Sequence, residues 1–265
     1  MKVAIAGKGG VGKTFIAATL SRLLARDGYN VLAVDADPDQ NLAYSLGIEP
    51  TIADSIIPLS DNEKLIEERT GISSEKSLGA VFNMTPRVND IVDKFGVIAP
   101  DNVKLLVMGR VKGGGKGCMC GSNALLRVLV QHMLIQRGEI LVMDMVAGLE
   151  HLGRGTARRM NAMLLVVEPR MKSVDTVKRT KALAKEIEIE DLLAVGNKVT
   201  GERDRKFIEK NMSELGIPVV AYVPYDENVI EADMIGKPTL DYSPESKSIK
   251  SIEVLKTYLV DHYKP

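Results

Sequence analysis

The sequence predicts an α/β protein built on a doubly wound, mostly parallel sheet. Short apolar runs recur along the chain, they do not alternate with polar residues, and longer amphipathic segments separate them. Unbroken runs of Val, Ile, Leu and Ala are typical of strands buried on both faces, as in a parallel sheet covered by helices. The alternation of strand and helix therefore predicts a doubly wound domain, whose ligands bind beyond the carboxyl ends of the strands.

Seven apolar runs are predicted to form the strands. In chain order they are VAIAG (3–7), NVLAVD (30–35), KLLVMG (104–109), EILVMD (139–144), MLLVVE (163–168), LLAVGN (192–197) and VVAYVP (219–224). Region 50–100 is more irregular and polar, and we assign no element there. No repeat or low-complexity linker divides the chain, so we expect a single domain over 1–265.

Three segments are predicted to be helices. They are 13–26, SNALLRVLVQHML (122–134) and the tail ESKSIKSIEVLKTYLVDHYKP (245–265). In the tail, Ile249, Ile252, Leu255 and Leu259 share one helical face, and charges of both signs occupy the rest. This pattern is typical of a helix that packs on a sheet, rather than of a basic helix that binds a membrane surface.

The composition argues against several classes of protein. Lys plus Arg and Asp plus Glu each number 35, so the formal net charge is zero and gives no bulk support for nucleic acid as a partner. Two cysteines in 265 residues do not make a disulfide scaffold. The beginning, MKVAIAGKGG, has no cleavable apolar stretch, and no run of 18 apolar residues follows. We expect a cytoplasmic protein without a membrane or nucleic-acid partner.

A phosphate-binding loop follows the first predicted strand. GKGGVGKT (7–14) matches G-x-x-x-x-G-K-[ST] between a strand and a helix, a context that disfavours a plain glycine-rich turn. Backbone N–H groups of such a loop surround phosphate oxygens, and the helix N-terminus adds a positive dipole. Lys13 should reach the β- and γ-phosphates of ATP, and the Thr14 hydroxyl should bind Mg²⁺. The expected contacts of ATP or ADP are Gly9, Gly10, Val11, Gly12, Lys13, Thr14 and Phe15.

The lysine near the start of this loop is a second signal. GKGGVGKT, with Lys8, resembles the deviant phosphate loop of the MinD/ParA/ArsA/nitrogenase-iron-protein group of ATPases. In that group this lysine reaches across a dimer interface to the nucleotide of the other subunit. The resemblance implies that Lys8 joins ATP binding to dimerisation and acts in catalysis. The alternative is a solvated lysine.

The same resemblance assigns two switch segments. VDADPDQ (34–40) resembles switch I, with Asp37 in the position that orients the attacking water. VMDMVAGLEH (142–151) resembles switch II, where Asp144 matches the residue that holds Mg²⁺ through water and Gly148 the amide that senses the γ-phosphate. A carboxylate at the end of an apolar strand is costly to bury without a function. We place Thr14, Asp37 and Asp144 at the magnesium site.

Two further segments resemble the part of the family's site that binds the base. Asn197 matches the residue that reads the adenine edge, with Lys198 next to it, and Pro224 lies in VPYDE (223–227), which matches the segment lining the base. An Asn at a strand end is as often a turn residue as a ligand. The family often has a second Thr or Ser after GKT, where this chain has Phe15, so backbone amides would have to replace that hydroxyl at the α-phosphate.

Both cysteines lie in one loop, KGGGKGCMCG (112–121). Zn²⁺ and similar ions take about four ligands, and Cys118 with Cys120 supplies two thiolates. The three histidines are poor candidates for the remaining ligands. His132 lies in an apolar helical run, His151 ends the switch II segment, and His262 lies at the tail. A two-fold axis through the loop would complete the set from a second subunit. A redox pair or a chance pairing of two small residues are the alternatives.

The full set of motifs resembles the carbon monoxide dehydrogenase maturation ATPases, the CooC family of nickel-insertion factors. The matching segments are GKGGVGKT (7–14), DADPD (35–39), GCMCG (117–121), DMVAGLEHLGRGTA (144–157) and VPYDENVIEAD (223–233). The resemblance implies a homodimeric ATPase that inserts nickel into apo carbon monoxide dehydrogenase or the related acetyl-CoA synthase. Ni²⁺ or Zn²⁺ would be held at the dimer interface by Cys118 and Cys120 of both subunits.

Two other functions stay open on the sequence. One is a ParA/MinD-type positioning ATPase with a structural zinc at the dimer interface. The other is an electron donor like the nitrogenase iron protein, whose cluster needs one cysteine near switch II. Residues 144–151, DMVAGLEH, contain no Cys, which counts against the second function.

Overall fold

The computed structural model describes residues 1–37, 39–71, 87–109, 121–135, 139–145, 160–187, 189 and 191–263. The described strands are β1 (Lys2–Gly7), β2 (Val31–Ala36), β3 (Val97–Ile98), β4 (Lys104–Val107), β5 (Ile140–Met145), β6 (Ala162–Val167), β7 (Leu192–Val199) and β8 (Val219–Pro224). The helices are α1 (Lys13–Arg26), α2 (Leu42–Leu46), α3 (Pro50–Ala53), α4 (Glu63–Thr70), α5 (Ile91–Phe95), α6 (Gly121–Ile135), α7 (Met171–Glu186), α8 (Glu202–Glu214), α9 (Glu227–Met234), α10 (Thr239–Tyr242) and α11 (Lys247–His262).

The eight strands form one sheet in the order β3-β4-β2-β5-β1-β6-β7-β8. Every neighbouring pair is parallel except β3 with β4. The predicted doubly wound, mostly parallel α/β class is confirmed, and all seven predicted strands are present. Because β3 has two residues, it leaves no apolar run by which the sequence could reveal it.

Two apolar cores cover the two faces of the sheet. Side chains of successive strand residues point to opposite faces, so each central strand contributes to both cores. One face packs against α1, α2, α10 and α11, and the other against α4, α5, α6, α7 and α8. The near-continuous apolar strands of the sequence are thereby explained, since β2, β5 and β6 are buried along their whole length.

The tail helix packs as its sequence pattern indicates. Ile249, Ile252, Leu255 and Leu259 of α11 are all fully buried against the sheet face that also carries α1. Within the part of the chain that the structure describes, no helix is long and apolar enough to cross a membrane.

Region 50–100 holds more regular structure than the sequence indicated. It contains α3, α4, α5 and β3, and α4 begins after Asn62, whose side chain accepts a hydrogen bond of 3.1 Å from Leu65 N. These elements are short. In α4 only Leu65 and Thr70 are buried, so the sequence of this helix is mostly polar and shows no clear apolar face. A short helix of this kind gives little periodicity to read.

Candidate active site

The phosphate loop connects β1 to α1 at the carboxyl edge of the sheet. Val11 N donates to Lys8 O at 3.2 Å, and the backbone is left-handed at Gly10 (φ +74°) and Gly12 (φ +96°). A Cβ at position 12 would lie 2.3 Å from Asn197 Nδ2, so both the backbone and its neighbour require glycine there. The loop thus leads into the N-terminus of α1, where free N–H groups and the helix dipole favour an anion such as phosphate.

Lys13 and Asp37 lie close together beside this loop. Lys13 Nζ is 3.4 Å from Asp37 Oδ2, and the two side chains are only 5 % and 12 % exposed. Asp37 follows β2 directly, so the sheet brings the residue after the second strand close to the start of the first helix. A pair this sheltered is weakly screened by solvent, and it joins two residues that the sequence assigned to catalysis.

Thr14 and Asp144 form the second close pair. Thr14 Oγ1 donates to Asp144 Oδ2 at 2.6 Å. Asp144 is fully buried near the end of β5, and its Oδ1 has no hydrogen-bond partner among the described residues. Burial raises the pKa of Asp144 to about 6, while the bond from Thr14 and the charge of Lys13 act against that rise. Mg²⁺ prefers oxygen ligands and bound water. A hydroxyl beside a buried carboxylate with one unpaired oxygen fits that ion.

Asp35 is a third buried carboxylate, and the sequence analysis missed it. Its Oδ1 accepts from Asp37 N at 3.1 Å, and its Oδ2 accepts from Leu42 N at 3.0 Å. Burial and then the neighbouring Asp144 raise its pKa to about 7, although the two backbone bonds oppose this. Its position was the available signal, because Asp35 ends the predicted apolar run NVLAVD (30–35) and the strand continues past it to Ala36.

The end of β7 holds the phosphate loop from the other side. Asn197 Nδ2 donates to Val11 O at 2.7 Å, and Asn197 Oδ1 accepts from Lys198 N at 2.9 Å. Lys198, with φ +57°, donates from Nζ to Gly10 O at 2.7 Å. The same Nζ lies 3.8 Å from Glu168, a buried residue that the sequence analysis did not single out. Adenine recognition by Asn197 and Lys198 stays a prediction, and in this structure both side chains bind the loop.

This geometry can be compared with known proteins. The family model described as the CobQ/CobB/MinD/ParA nucleotide binding domain matches residues 2–240. The chain belongs to this family. It is an ATPase of the MinD/ParA type, which confirms the predicted activity.

The relatives agree with this assignment. The carbon monoxide dehydrogenase accessory protein CooC of Rhodospirillum rubrum is 37 % identical over 244 residues, covering 92 % of this chain and 91 % of the relative. An uncharacterised ATP-binding protein of Methanocaldococcus jannaschii is 44 % identical over 260 residues, covering 98 % of both chains. The chain is therefore a CooC-like member of the MinD/ParA family, as its motifs indicated.

Solved structures support the fold. The MinC:MinD cell division complex of Aquifex aeolicus matches with a TM-score of 0.70 at 18 % identity, covering 100 % of this chain and 97 % of that one. MinD of Pyrococcus horikoshii, solved with Mg-ADP, matches with a TM-score of 0.66 at 22 % identity, covering 98 % and 96 %. The eight-stranded sheet of this MinD/ParA-type ATPase is thus the sheet of the MinD fold.

The remaining predicted residues of the MinD/ParA-type site are placed as follows. Lys8 is half-buried, and its side chain has no hydrogen-bond or ion-pair partner among the described residues. Gly9 is exposed at the loop. Phe15, on the first turn of α1, lines a groove of about 560 Å³ between α1, α2 and α9. Pro224 is half-buried at the end of β8.

Gly148, Cys118 and Cys120 lie outside the described residues, as does most of switch II. The described chain reaches Gly109 before the cysteine loop and resumes at Gly121, the first residue of α6. Gly109 has φ +78°, and a Cβ there would lie 2.2 Å from Ser60 Oγ. Over the described ranges, no group of three or more His, Cys, Asp or Glu side chains could hold a metal ion.

Proposed function

We propose that this chain is a homodimeric, ATP-hydrolysing metallochaperone that inserts nickel into carbon monoxide dehydrogenase or the related acetyl-CoA synthase. The observation that carries the proposal is the 37 % identity to CooC over 92 % of the chain. The sequence adds Cys118-Met119-Cys120, which offers two soft ligands of the kind that nickel and zinc accept. ATP binding alone would fit many members of the family, so the cysteines distinguish this proposal from the others.

The nucleotide site assigns a role to each described group. The N–H groups of Gly9, Gly10 and Gly12 face the phosphates, and Lys13 adds a positive charge at the β- and γ-phosphates. Thr14 and Asp144 would hold Mg²⁺, which supplies charge stabilisation for the phosphates when it is bound. Oδ1 of Asp144 accepts from no residue in the described ranges, which supports this role, since such a buried carboxylate oxygen is suited to the water shell of an ion.

Hydrolysis is an in-line displacement. A water oxygen attacks the γ-phosphorus, the bond from that phosphorus to the β–γ bridging oxygen breaks, and ADP and phosphate leave. Asp37 orients the attacking water and draws on its proton as the oxygen–phosphorus bond forms. Its carboxylate lies 3.4 Å from Lys13 Nζ, so it is held at the end of the site where the γ-phosphate would lie. Catalysis is then mostly positional and electrostatic.

Lys8 provides the link to the dimer. Its ammonium group finds no partner among the described residues of its own chain, unlike Lys13 and Lys198, which both do. A half-buried ammonium beside a phosphate loop is suited to an anion supplied from outside the chain. We assign that anion to the nucleotide of the second subunit, so that ATP and two chains assemble together.

The cysteine loop is connected to the nucleotide site through the strand that precedes it in the chain. It begins after β4, and β4 is the direct neighbour of β2, the strand that leads to Asp37. Ser60 N donates to Met108 O at 3.0 Å, and Gly109 is closely packed against Ser60, so the chain before the loop is held in place as far as Gly109. Two copies of Cys118 and Cys120 would give four thiolates, a full ligand set, and loss of the γ-phosphate would change its geometry.

Metal binding is tested with the double variant Cys118→Ser and Cys120→Ser. The wild type should bind one Ni²⁺ for every two chains, measured by titration with analysis of protein mass, and the double variant should bind none. Met119→Leu is the matched control, since it changes the residue between the thiols and leaves both ligands. If the double variant still bound one Ni²⁺ for every two chains, the proposed four-thiolate site would be wrong.

The dimer link is tested with Lys8→Ala. Steady-state ATP turnover should fall severely while nucleotide binding is partly retained, because the phosphate loop itself is unchanged. Lys206→Ala removes an exposed lysine of α8 and serves as the control. Near-normal turnover of Lys8→Ala would exclude the role of this lysine across the interface.

The second candidate is a positioning ATPase whose zinc only joins the subunits. The ligand set favours it, because thiolates hold zinc at least as readily as nickel. The two functions differ in the effect of hydrolysis on the ion. Release or weakened binding of Ni²⁺ after ATP hydrolysis supports insertion, whereas metal retained with equal affinity in ATP and ADP supports a structural role.

A further inference from the structure

We propose that Asp35 is a positioning residue of the ATPase reaction, which holds the loop after β2 so that Asp37 faces the phosphate site. The inference rests on the proposed function, because it takes Asp37 as the residue that orients the attacking water. It adds a residue that acts through hydrogen bonds to the backbone.

The contacts of Asp35 point inward to its own chain. One carboxylate oxygen accepts from Asp37 N at 3.1 Å and the other from Leu42 N at 3.0 Å. A single fully buried side chain thereby closes the segment from residue 37 to residue 42, which joins β2 to α2. Each oxygen of Asp35 accepts from an N–H of its own chain, whereas Oδ1 of Asp144 accepts from none of the described residues.

The placement of Asp35 makes a packing role alone a poor explanation. Asp35 and Asp144 are paired in register on the adjacent parallel strands β2 and β5. Their alternate neighbours Ala33 and Val142 pack in the core on the α1 face, so both carboxylates point to that side. Two neighbouring buried carboxylates repel each other, and an apolar residue would fill the space without that cost. The carboxylate at position 35 is explained by its ability to accept from two N–H groups at once.

The segment that Asp35 holds contains the catalytic carboxylate. Asp37 lies two residues along, and its own N–H is one of the two donors. The turn beyond it is fixed by Asp39 N donating to Asp37 Oδ1 and Gln40 N donating to Asp37 O, each at 3.1 Å. Asp35 therefore holds this turn in place through its hydrogen bonds. Loss of these bonds would let the Asp37 carboxylate move away from Lys13.

The test is Asp35→Asn, which keeps the size of the side chain but leaves one acceptor and places an NH₂ group against the second N–H. We expect kcat for ATP to fall about 100-fold, as for a displacement of the reacting group by about 1 Å. The Kd for ADP, measured by calorimetry, should stay within about threefold, because the phosphate loop is unchanged. Leu259→Ala, which truncates a buried residue of α11, is the control for stability and should leave kcat unchanged.

The outcomes separate this inference from the proposed function. A wild type that does not hydrolyse ATP contradicts both. A wild type that hydrolyses ATP, with Asp35→Asn turning over within about threefold of it, overturns only the role of Asp35. The role of Asp35 is also overturned if the Kd for ADP rises as much as kcat falls in Asp35→Asn, or if Leu259→Ala loses as much kcat as Asp35→Asn does. If Asp35→Asn does not fold, amide hydrogen exchange in the wild type decides: slow exchange at Asp37 and Leu42 supports the role, and exchange as fast as in an open loop refutes it.

Discussion

Replacing Asp144 with Asn should stabilise the nucleotide-free protein while removing its activity. Asp144 is fully buried, and one of its two oxygens has no donor within the part of the chain that the structure describes, so its charge is poorly compensated without Mg²⁺. Asn keeps the shape and can still accept the 2.6 Å hydrogen bond from Thr14. What the substitution removes is the ionisation of a buried carboxyl group.

The size of the effect follows from the pKa of this group. Burial raises it to about 6 from the ordinary 3.8, and that difference corresponds to about 3 kcal/mol of folding free energy. Because the folded pKa is raised, the stability contributed by Asp144 is present below pH 3.8 and is lost as the pH rises through 6. Asn suffers no such loss. Asp144→Asn should therefore be about 2–3 kcal/mol more stable than wild type at pH 7.5, and this gain should shrink towards pH 4.

Urea unfolding of both chains at pH 4.5, 6 and 7.5, without nucleotide and with chelator, measures the difference. For a chain of this size the gain at pH 7.5 corresponds to roughly 4–10 °C in Tm. ATP turnover of Asp144→Asn should fall by a factor of about 100 or more, since the oxygen that Mg²⁺ requires is gone. A variant that is less stable than wild type at pH 7.5, or a difference that does not change with pH, would refute the reasoning.

Three further predictions concern the phosphate loop. Gly12→Ala should cost about 1–3 kcal/mol of unfolding free energy and weaken ADP binding in calorimetry, because φ is +96° and the new methyl group meets Asn197 Nδ2 at 2.3 Å; unchanged ADP affinity would contradict the loop geometry. Lys198→Met should leave stability within about 1 kcal/mol but raise the Kd for ADP about fivefold, because the contact with Gly10 O is lost; equal affinity would limit Lys198 to a surface role. Lys13→Met should abolish measurable ATP turnover, and activity above about one tenth of wild type would contradict its charge role.

The fold could be predicted because its strands are buried on both faces. Runs such as VAIAG (3–7) and ILVMD (140–144) carry only apolar residues until a Gly or Asp ends them, so the strand and the group at its end are visible together. The positions of the phosphate loop and of Asp144 could be predicted in the same way, because each lies at the end of such an apolar run. β3 and the short helices of region 50–100 could not be predicted, because elements of two to eight residues give no period to recognise.

The contacts that the sequence did not reveal depend on register and turn geometry. Asp35 lies in the segment that resembles switch I, and the pairing of β2 with β5 places it beside Asp144, where both of its oxygens accept from backbone N–H groups. Asn197 and Lys198 were interpreted as base contacts, and the left-handed backbone at Lys198 turns that side chain towards Gly10 O. A local motif identifies a residue type at a site, but the partner of its side chain is set by the sheet.

Nickel titration of the purified protein, first with ADP and then with ATP, tests the central claim most directly. Metal stoichiometry and molecular mass are followed together, by elemental analysis and light scattering on the same samples. We predict that ATP yields dimers that hold one Ni²⁺ for every two chains, that hydrolysis weakens this binding, and that Cys118→Ser with Cys120→Ser removes it. Nickel bound one per chain to a monomer, or binding unaffected by the nucleotide and the cysteines, would contradict it.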